Sequence, residues 1–469
     1  MAFDRLADDV LLEIFDFYVK EQRMQKWVRL AHVCRRWRNI VFQAPHRLDL
    51  RLICTDRTPA RNALDIWPPL PLIIIFNHFH YFNKTGMDDL IAALEHNDRV
   101  CRIEFNTFSS RPLRAVTGSA AMQKPFPQLT DLRICNAVKY RERPIRPVPN
   151  SFLGGSAPRL RSLYLDDIAF PGLAPNLLLS ATHLVHLELN RIPSAGYIPP
   201  EAIATSLTAL ISLESLRLHF RGPRPRPALE SRRPSPPPQT RSILPILTKI
   251  RFQGVSEYLE GILARIDAPR LNELHISFFN QITFDTPQLF QFISRRPTLS
   301  APKKGHITFS YGAISIRFPS QTPDYGKLGV RIPCTMSEWQ LSSLGQVCTS
   351  SLPPFSTLVD LYIFEGLELP PYWQDDIENT LWQELLHPFA AVKNLYLCEN
   401  VIPRIAPALQ ELVGGRATEV LPNLEKFFLE SLPTGPLHEG IEKFVAARRL
   451  AGHPLTVSRW DIDWHWDME

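Results

Sequence analysis

A six-residue unit of the form Leu-x-x-Leu-x-Leu recurs through most of this chain, and a repeat of that kind admits few folds. It reads VCRIEF (100–105), LTDLRI (129–134), LRSLYL (160–165), LVHLEL (184–189), LESLRL (213–218), LTKIRF (247–252), LNELHI (271–276), LVDLYI (358–363), VKNLYL (392–397) and LEKFFL (424–429). Successive units start 24 to 34 residues apart, except for one interval of 87 residues from Leu271 to Leu358. That interval has room for two or three degenerate units, with GHITFS (305–310) and AISIRF (313–318) as candidate strands. The unit fits a short strand whose first, fourth and sixth residues point into a common core. Repeats of about 20 to 29 residues, each a strand plus a returning helix, stack into a horseshoe in which each unit buries its neighbour.

The return segments are legible too. PPEAIATSLTALI (199–211), VSEYLEGILARI (255–266), MSEWQLSSLGQV (336–347), DIENTLWQELL (376–386) and LHEGIEKFVAARRL (437–450) carry apolar residues at helical spacing. Thr335 with Glu338 has the spacing of a capping box. Between Pro45 and Val100, LDLRLI and PLIIIF read as the first strands, and MDDLIAALEHN as the first return helix. Forty-three prolines in 469 residues fit many short elements with stiff turns. RGPRPRPALESRRPSPPPQ (221–239) has almost no large apolar residues and reads as a flexible insertion, with an import or acidic-partner patch as a further reading of its arginines. The tail WDIDWHWD (460–467) alternates with period two, as a closing strand would.

The first fifty residues have a different pattern. LADDVLLEIFDFYV places Val10, Leu11, Ile14, Phe15 and Tyr18 at helical spacing, with Asp8 as the expected N-cap. WVRLAHVCRRWRNIVF reads as a second helix carrying Leu30, Val33, Cys34, Trp37, Ile40 and Val41, with Cys34 as a small core residue and Pro45 as the stop. About 45 residues bury too little surface to be stable alone, so the pair must dock on the rest of the chain or on a partner.

This segment resembles the F-box. Leu6, Asp8, Asp9, Val10, Leu11, Glu13, Ile14 and Phe15 look like the family's opening Leu-Pro-x-Glu-Ile-Leu-x-x-Ile-Phe helix, with Ala7 in place of the usual proline. Val33, Cys34, Arg35, Trp37 and Arg38 look like its Val-Cys-Arg-x-Trp-Arg core, and Pro45 like the proline that follows. The resemblance covers roughly residues 3 to 50. It implies that Leu6, Val10, Leu11, Ile14, Phe15, Leu30, Val33, Cys34, Trp37 and Pro45 dock on a Skp-type adaptor and, through it, a cullin. Residues 51–469 resemble the leucine-rich repeats of many F-box proteins, but the family's inward asparagine is mostly replaced, by Ala137, Ile168, Ile192 and Val255, and only Asn400 fits. The expected architecture is therefore α/β: a small helical F-box (1–50) followed by an irregular leucine-rich-repeat horseshoe without a regular asparagine ladder.

Composition narrows the function. Fifty-two basic and 47 acidic residues give a net charge of +5, with no element that concentrates Lys and Arg as a nucleic-acid reader does. Seven irregularly spaced cysteines point to a reducing compartment. The longest apolar run, Leu70 to Phe76, is far short of a membrane span. The expectation is a soluble intracellular protein, cytoplasmic or nuclear. No Gly-rich phosphate cradle is present, and His78 with His80 lacks a third ligand, so neither a cofactor nor a metal nor catalysis is expected. Two readings remain: the substrate-recognition subunit of an SCF-type ubiquitin ligase, or a repeat scaffold whose N-terminal helices serve only as a cap. The residue between the last two apolar positions of each unit should face the concave side. That column runs Arg133, Tyr164, Glu188, Arg217, Arg251, His275, Tyr362, Tyr396 and Phe428. The last three, being aromatic, are the expected contact for an unknown target protein.

Overall fold

The apolar positions of the repeat units do form strands, and the strands stack side by side. The computed structural model describes residues 6–20, 26–57, 60–78, 84–136, 147–170, 176–222, 241–279, 284–319, 327–366, 370–371, 373, 377–430 and 436–460. The chain divides into two units, Met1–Leu213 and Glu214–Glu469.

In the first unit β1 (Leu52–Thr55), β2 (Leu72–His78), β3 (Val100–Thr107), β4 (Asp131–Asn136), β5 (Ser162–Asp166) and β6 (His186–Ile192) lie in sequence order, all parallel. Their register aligns Cys54, Ile74, Ile103, Leu132, Leu163 and Leu187 in one row, and Phe76, Phe105, Ile134, Leu165 and Leu189 in the next. Every residue of both rows is at most 3% exposed. Parallel neighbours require a crossover, and Lys84–Glu95, Ser110–Thr117 and Asn176–Ser180 are helical pieces of those returns. In place of the missing asparagines, Thr107, Asn136 and Asp167 each sit 2% exposed two or so residues past the last strand apolar, and Asn136 Nδ2 donates to the Asp167 carbonyl at 3.5 Å. A single polar link, from Asn136 to Asp167, therefore stands one position earlier than the family pattern puts it; Ala137 itself lies outside the described residues.

In the second unit the strands are β7 (Ser215–Phe220), β9 (Lys249–Gly254), β11 (Glu273–Phe278), β12 (Lys304–Ser310), β13 (Ala313–Phe318), β14 (Lys327–Pro333), β15 (Asp360–Glu365), β16 (Asn394–Leu397), β17 (Lys426–Leu429) and β18 (Thr456–Arg459). A separate two-stranded ladder joins β8 (Ser242–Ile243) to β10 (Ile266–Asp267). The main order is β7-β9-β11-β14-β13-β12-β15-β16-β17-β18. Among its described residues the 87-residue interval thus holds three strands beyond β11, and the middle one is antiparallel to both neighbours. The cause is the connection: Tyr311-Gly312 is a two-residue turn, too short for a return helix, so β13 must fold back on β12. KLGVRIP, which becomes β14, lacks the repeat spacing and was not anticipated as a strand.

One further expectation changes, and two fall almost wholly outside the described residues. Of the alternating tail expected as the closing strand only Trp460 lies among the described residues, whose last strand is β18. The helix Ser337–Gln346 has Met336 at its N-cap with no side-chain cap, so Thr335 and Glu338 form no capping box. The insertion at 221–239 lies outside the described residues except for Arg221 and Gly222.

Buried arginines close several turns. Arg448, fully buried in the helix Pro436–Leu450, donates to the carbonyls of Ala417, Leu421, Pro422 and Leu424 at 2.9 to 3.3 Å. Those carbonyls belong to a turn in which Leu421 is held at φ 51°, a left-handed conformation unfavourable for leucine. Arg296, 3% exposed, likewise serves the Ala268 carbonyl at 2.9 Å and Asp267 Oδ1 at 2.5 Å. One planar guanidinium can satisfy several acceptors that would otherwise be buried without donors. Arg448→Leu should therefore cost about 2–4 kcal/mol in denaturant unfolding. Arg448→Lys, with a single donor point, should recover only part of it. A neutral result for Arg448→Leu would show that water reaches this turn.

Candidate functional site

Two surfaces bear on function, one in each unit. The first is the N-terminal helical group: α1 (Asp8–Lys20), α2 (Lys26–Val33) and α3 (Arg35–Gln43). The single second helix expected from the sequence breaks at Cys34, which adopts an extended backbone and caps α3 by accepting from the Trp37 amide at 3.5 Å. Cys34 is exposed, not a core residue, because a capping side chain must stand at the helix end. Asp8 likewise lies inside the first turn of α1, and its carboxylate pairs with Arg36 at 2.6 Å instead of capping.

The residues singled out for adaptor binding separate into two groups. Leu11, Phe15 and Leu30 are 7% exposed or less and pack with Trp27, Ile40, Val41, Leu48, Leu50 and Leu70 in the chain's own core. Leu6 and Trp37 pack against that core from its margin, and Pro45 is half-buried. Val10 (42%), Ile14 (43%) and Val33 (59%) face solvent, together with Phe17 at 70%. α1 therefore carries two apolar stripes, Leu11/Phe15/Tyr18 turned inward and Val10/Ile14/Phe17 turned outward. Phe17 escaped the sequence reading, although its spacing of seven from Val10 and three from Ile14 marks the second stripe.

The second surface is the solvent face of the second unit's sheet. Register places Arg217, Arg251, His275, Gly329, Arg317, His306, Tyr362, Tyr396, Phe428 and Ser458 in one row across its ten strands. The predicted column aligns within each unit: Arg133, Tyr164 and Glu188 lie in one row in the first, joined by Glu104. There the charges are mixed and engaged with neighbours, as where the Arg133 guanidinium lies 4.2 Å from the centre of the Tyr164 ring. In the second unit the row falls into a cationic section and an aromatic one.

The aromatic section is a stack. Tyr362 and Tyr396 lie 4.1 Å apart at 11°, and Tyr396 and Phe428 4.5 Å apart at 4°. His306 meets Tyr362 edge-on at 4.9 Å, and Trp460 packs its edge on both tyrosines while its indole nitrogen donates to the Leu397 carbonyl at 3.3 Å. Tyr362 is consequently buried at 7%, and Tyr396 and Phe428 are half-buried. The three residues expected to contact a target are thus stacked on one another, with Tyr396 and Phe428 still partly exposed. Burial pushes His306 down to about 4 and raises the Tyr362 hydroxyl, which is hydrogen-bonded to that of Tyr396.

The cationic section surrounds one carboxylate. Glu273, 8% exposed, accepts from Arg251 at 2.7 Å and lies 3.5 Å from both Lys249 and His275. Burial alone would raise its pKa, but the Arg251 hydrogen bond and charge, with His275 and Lys249, hold it below the ordinary carboxylate value. His275 is held low, first by burial and then by Arg251, Arg317 and Lys327.

On the helix side a groove of about 550 Å³ is lined by Ser256, Glu257, Phe284, Asp285, Gln346, Thr349 and Ser350, a set with no histidine or cysteine to activate a nucleophile. No cluster of three or more His, Cys, Asp or Glu side chains suits a metal among the described residues. His80 lies outside them. No helix there is long and apolar enough to cross a membrane.

No family model matches the chain, and no curated protein matches it. Among solved structures it is similar to the leucine-rich repeat-containing protein LegL7 from Legionella pneumophila, at 12% identity over 84% of this chain and 97% of that one, with a TM-score of 0.26.

The stack makes a testable claim about Tyr362 and Tyr396. Tyr396→Ala, which removes the middle ring, should cost about 2–4 kcal/mol. Both hydroxyls are raised above the ordinary 10.0. The stability of the neutral pair is therefore complete below that value and is lost as pH rises through the higher folded ones. Tyr362→Phe should flatten this alkaline loss in unfolding measured across pH 9 to 12. An unchanged profile would place the hydroxyl in water.

Proposed function

We propose that this protein is the substrate-recognition subunit of an SCF-type ubiquitin ligase, with the N-terminal helices docking on a Skp-type adaptor and the strand face of the second unit taking a target protein. On this reading it is not itself an enzyme. The observation that carries it is the outward stripe of α1. Val10, Ile14 and Phe17 recur at helical spacing on a helix whose opposite stripe is already buried, so they add nothing to the chain's own core. Large apolar side chains kept exposed in this way fit a helix surface that a partner covers. The resemblance of residues 3 to 50 to the F-box gives that partner its identity.

The scaffold reading draws on a different observation. Leu11, Phe15 and Leu30 pack against Leu48, Leu50 and Leu70, as a cap on the first strands would. The two readings diverge on the outward stripe, which a cap does not need.

Ile14→Asp with Phe17→Asp should abolish capture of a purified Skp-type adaptor and leave the melting temperature within a degree or two, because exposed positions change stability by about 0.5 kcal/mol or less. Leu11→Asp should instead unfold the helical group. Retained adaptor capture by the Ile14/Phe17 double variant would overturn the ligase reading and leave the scaffold.

A further inference from the structure

The cationic section of the second unit's face is an uneven charge distribution with a definite layout. Across β9, β11, β14 and β13 the solvent-facing positions form three short rows: Lys249, Glu273 and Lys327; Arg251, His275, Gly329 and Arg317; Gln253, Ser277, Arg331 and Ser315. Five cations therefore stand around one carboxylate. Glu273 is already engaged by Arg251 and Lys249. Lys327, Arg331 and Arg317 are exposed, and no acidic side chain among the described residues lies within ion-pair distance of them.

Gly329 shapes the middle of the patch. A Cβ there would come 2.8 Å from His275 Nδ1 and 3.8 Å from the Arg317 stem. The missing side chain is what lets the imidazole and the arginine lean over β14 from either side. The result is a shallow notch in β14, with Lys327 at one end, Arg331 at the other and Arg317 alongside.

We propose that this patch binds an acidic segment of the target polypeptide, a run of aspartate and glutamate side chains laid across the strands; the inference rests on the reading that this face takes the target. Charge complementarity carries it, since exposed cations without acidic partners raise the local concentration of an oppositely charged ligand. The spacing favours separate carboxylates over a single phosphate. Lys327 and Arg331 are four residues apart on one strand, about 13 Å, and β9 is two strands from β14, about 10 Å. A phosphate needs its donors converging on one point, whereas alternate side chains of an extended peptide are spread at about 7 Å.

A single-stranded nucleic acid would be attracted by the same charge, but it also needs free ring faces on which bases can stack. On this face Tyr396 has both ring faces covered, by Tyr362 and Phe428, and Trp460 closes on the edges. The aromatic section therefore serves as a rigid border to the patch and leaves the charge to a peptide.

The test is fluorescence anisotropy of the full chain with a labelled twelve-residue glutamate-rich peptide at low salt, with a lysine-rich peptide and a single-stranded oligonucleotide as comparators. Lys327→Gln, Arg331→Gln and Arg317→Gln together should weaken glutamate-peptide binding at least tenfold and reduce its salt dependence. Arg270→Gln, Arg295→Gln and Lys443→Gln, an equal loss of charge away from this face, should change it less than twofold. Equal loss in both triple variants, no measurable binding of the glutamate peptide, or tighter binding of the oligonucleotide through the same three residues would each overturn the proposal. The adaptor takes no part in this assay, so failure here leaves the adaptor-docking reading intact, and failure of adaptor capture leaves this one to stand on its own result.

Discussion

Everything in this molecule depends on the strands keeping register. Within each unit the fourth and sixth residues of successive repeats align, so Ile103, Leu132, Leu163 and Leu187 form one buried row and Leu218, Phe252, Ile276 and Val330 another. Side chains alternate with period two, and a slip of one residue would move a whole row from core to solvent. A fully buried leucine or isoleucine contributes about 2 kcal/mol through the area it removes from water. Such a slip is therefore opposed by every residue of the row at once. The same constraint fixes the opposite face. Once the apolar row is inward, the intervening row is outward, and its chemistry becomes that of a continuous surface.

The repeats were legible for this reason. Strand positions came straight from the Leu-x-x-Leu-x-Leu spacing, and the helices from their 3.6-residue periodicity. The antiparallel insertion was not, because AISIRF and KLGVRIP carry strand alternation without the return segment that marks a repeat. Only the two-residue Tyr311-Gly312 turn hints that the chain doubles back. The break at Cys34 was hidden because a helix pattern that continues across a cap has the same periodicity as an unbroken helix. The arginine clamps were equally opaque: Arg448 looks in sequence like an ordinary basic residue near a helix end, and its four carbonyl partners come from a turn some 24 to 31 residues earlier.

The candidate site was half visible. The outward column could be read residue by residue, and its order held. What could not be read was the division of labour along it. Tyr362, Tyr396 and Phe428 fall on adjacent strands at one register, which forces their rings face to face and turns an expected contact surface into a packed stack. Lys327, Arg331 and Arg317 sit on strands with no repeat signature, so the cations that give the neighbouring section its charge were missing from the column. A similar reversal holds at the N-terminus. Leu11 and Phe15 match the F-box pattern and are core, while Phe17 lies outside the matched residues and is the most exposed of the α1 stripe.

On this account the two surfaces belong to different units: apolar α1 residues for an adaptor, and a cation-and-aromatic strand face for a target. Amide hydrogen exchange of the full chain, alone and saturated with a Skp-type adaptor, tests that assignment most directly. The account predicts added protection in residues 8–20 and 26–43, with β7 to β17 unchanged. No added protection in α1, or protection spread over the strands of the second unit, would contradict it.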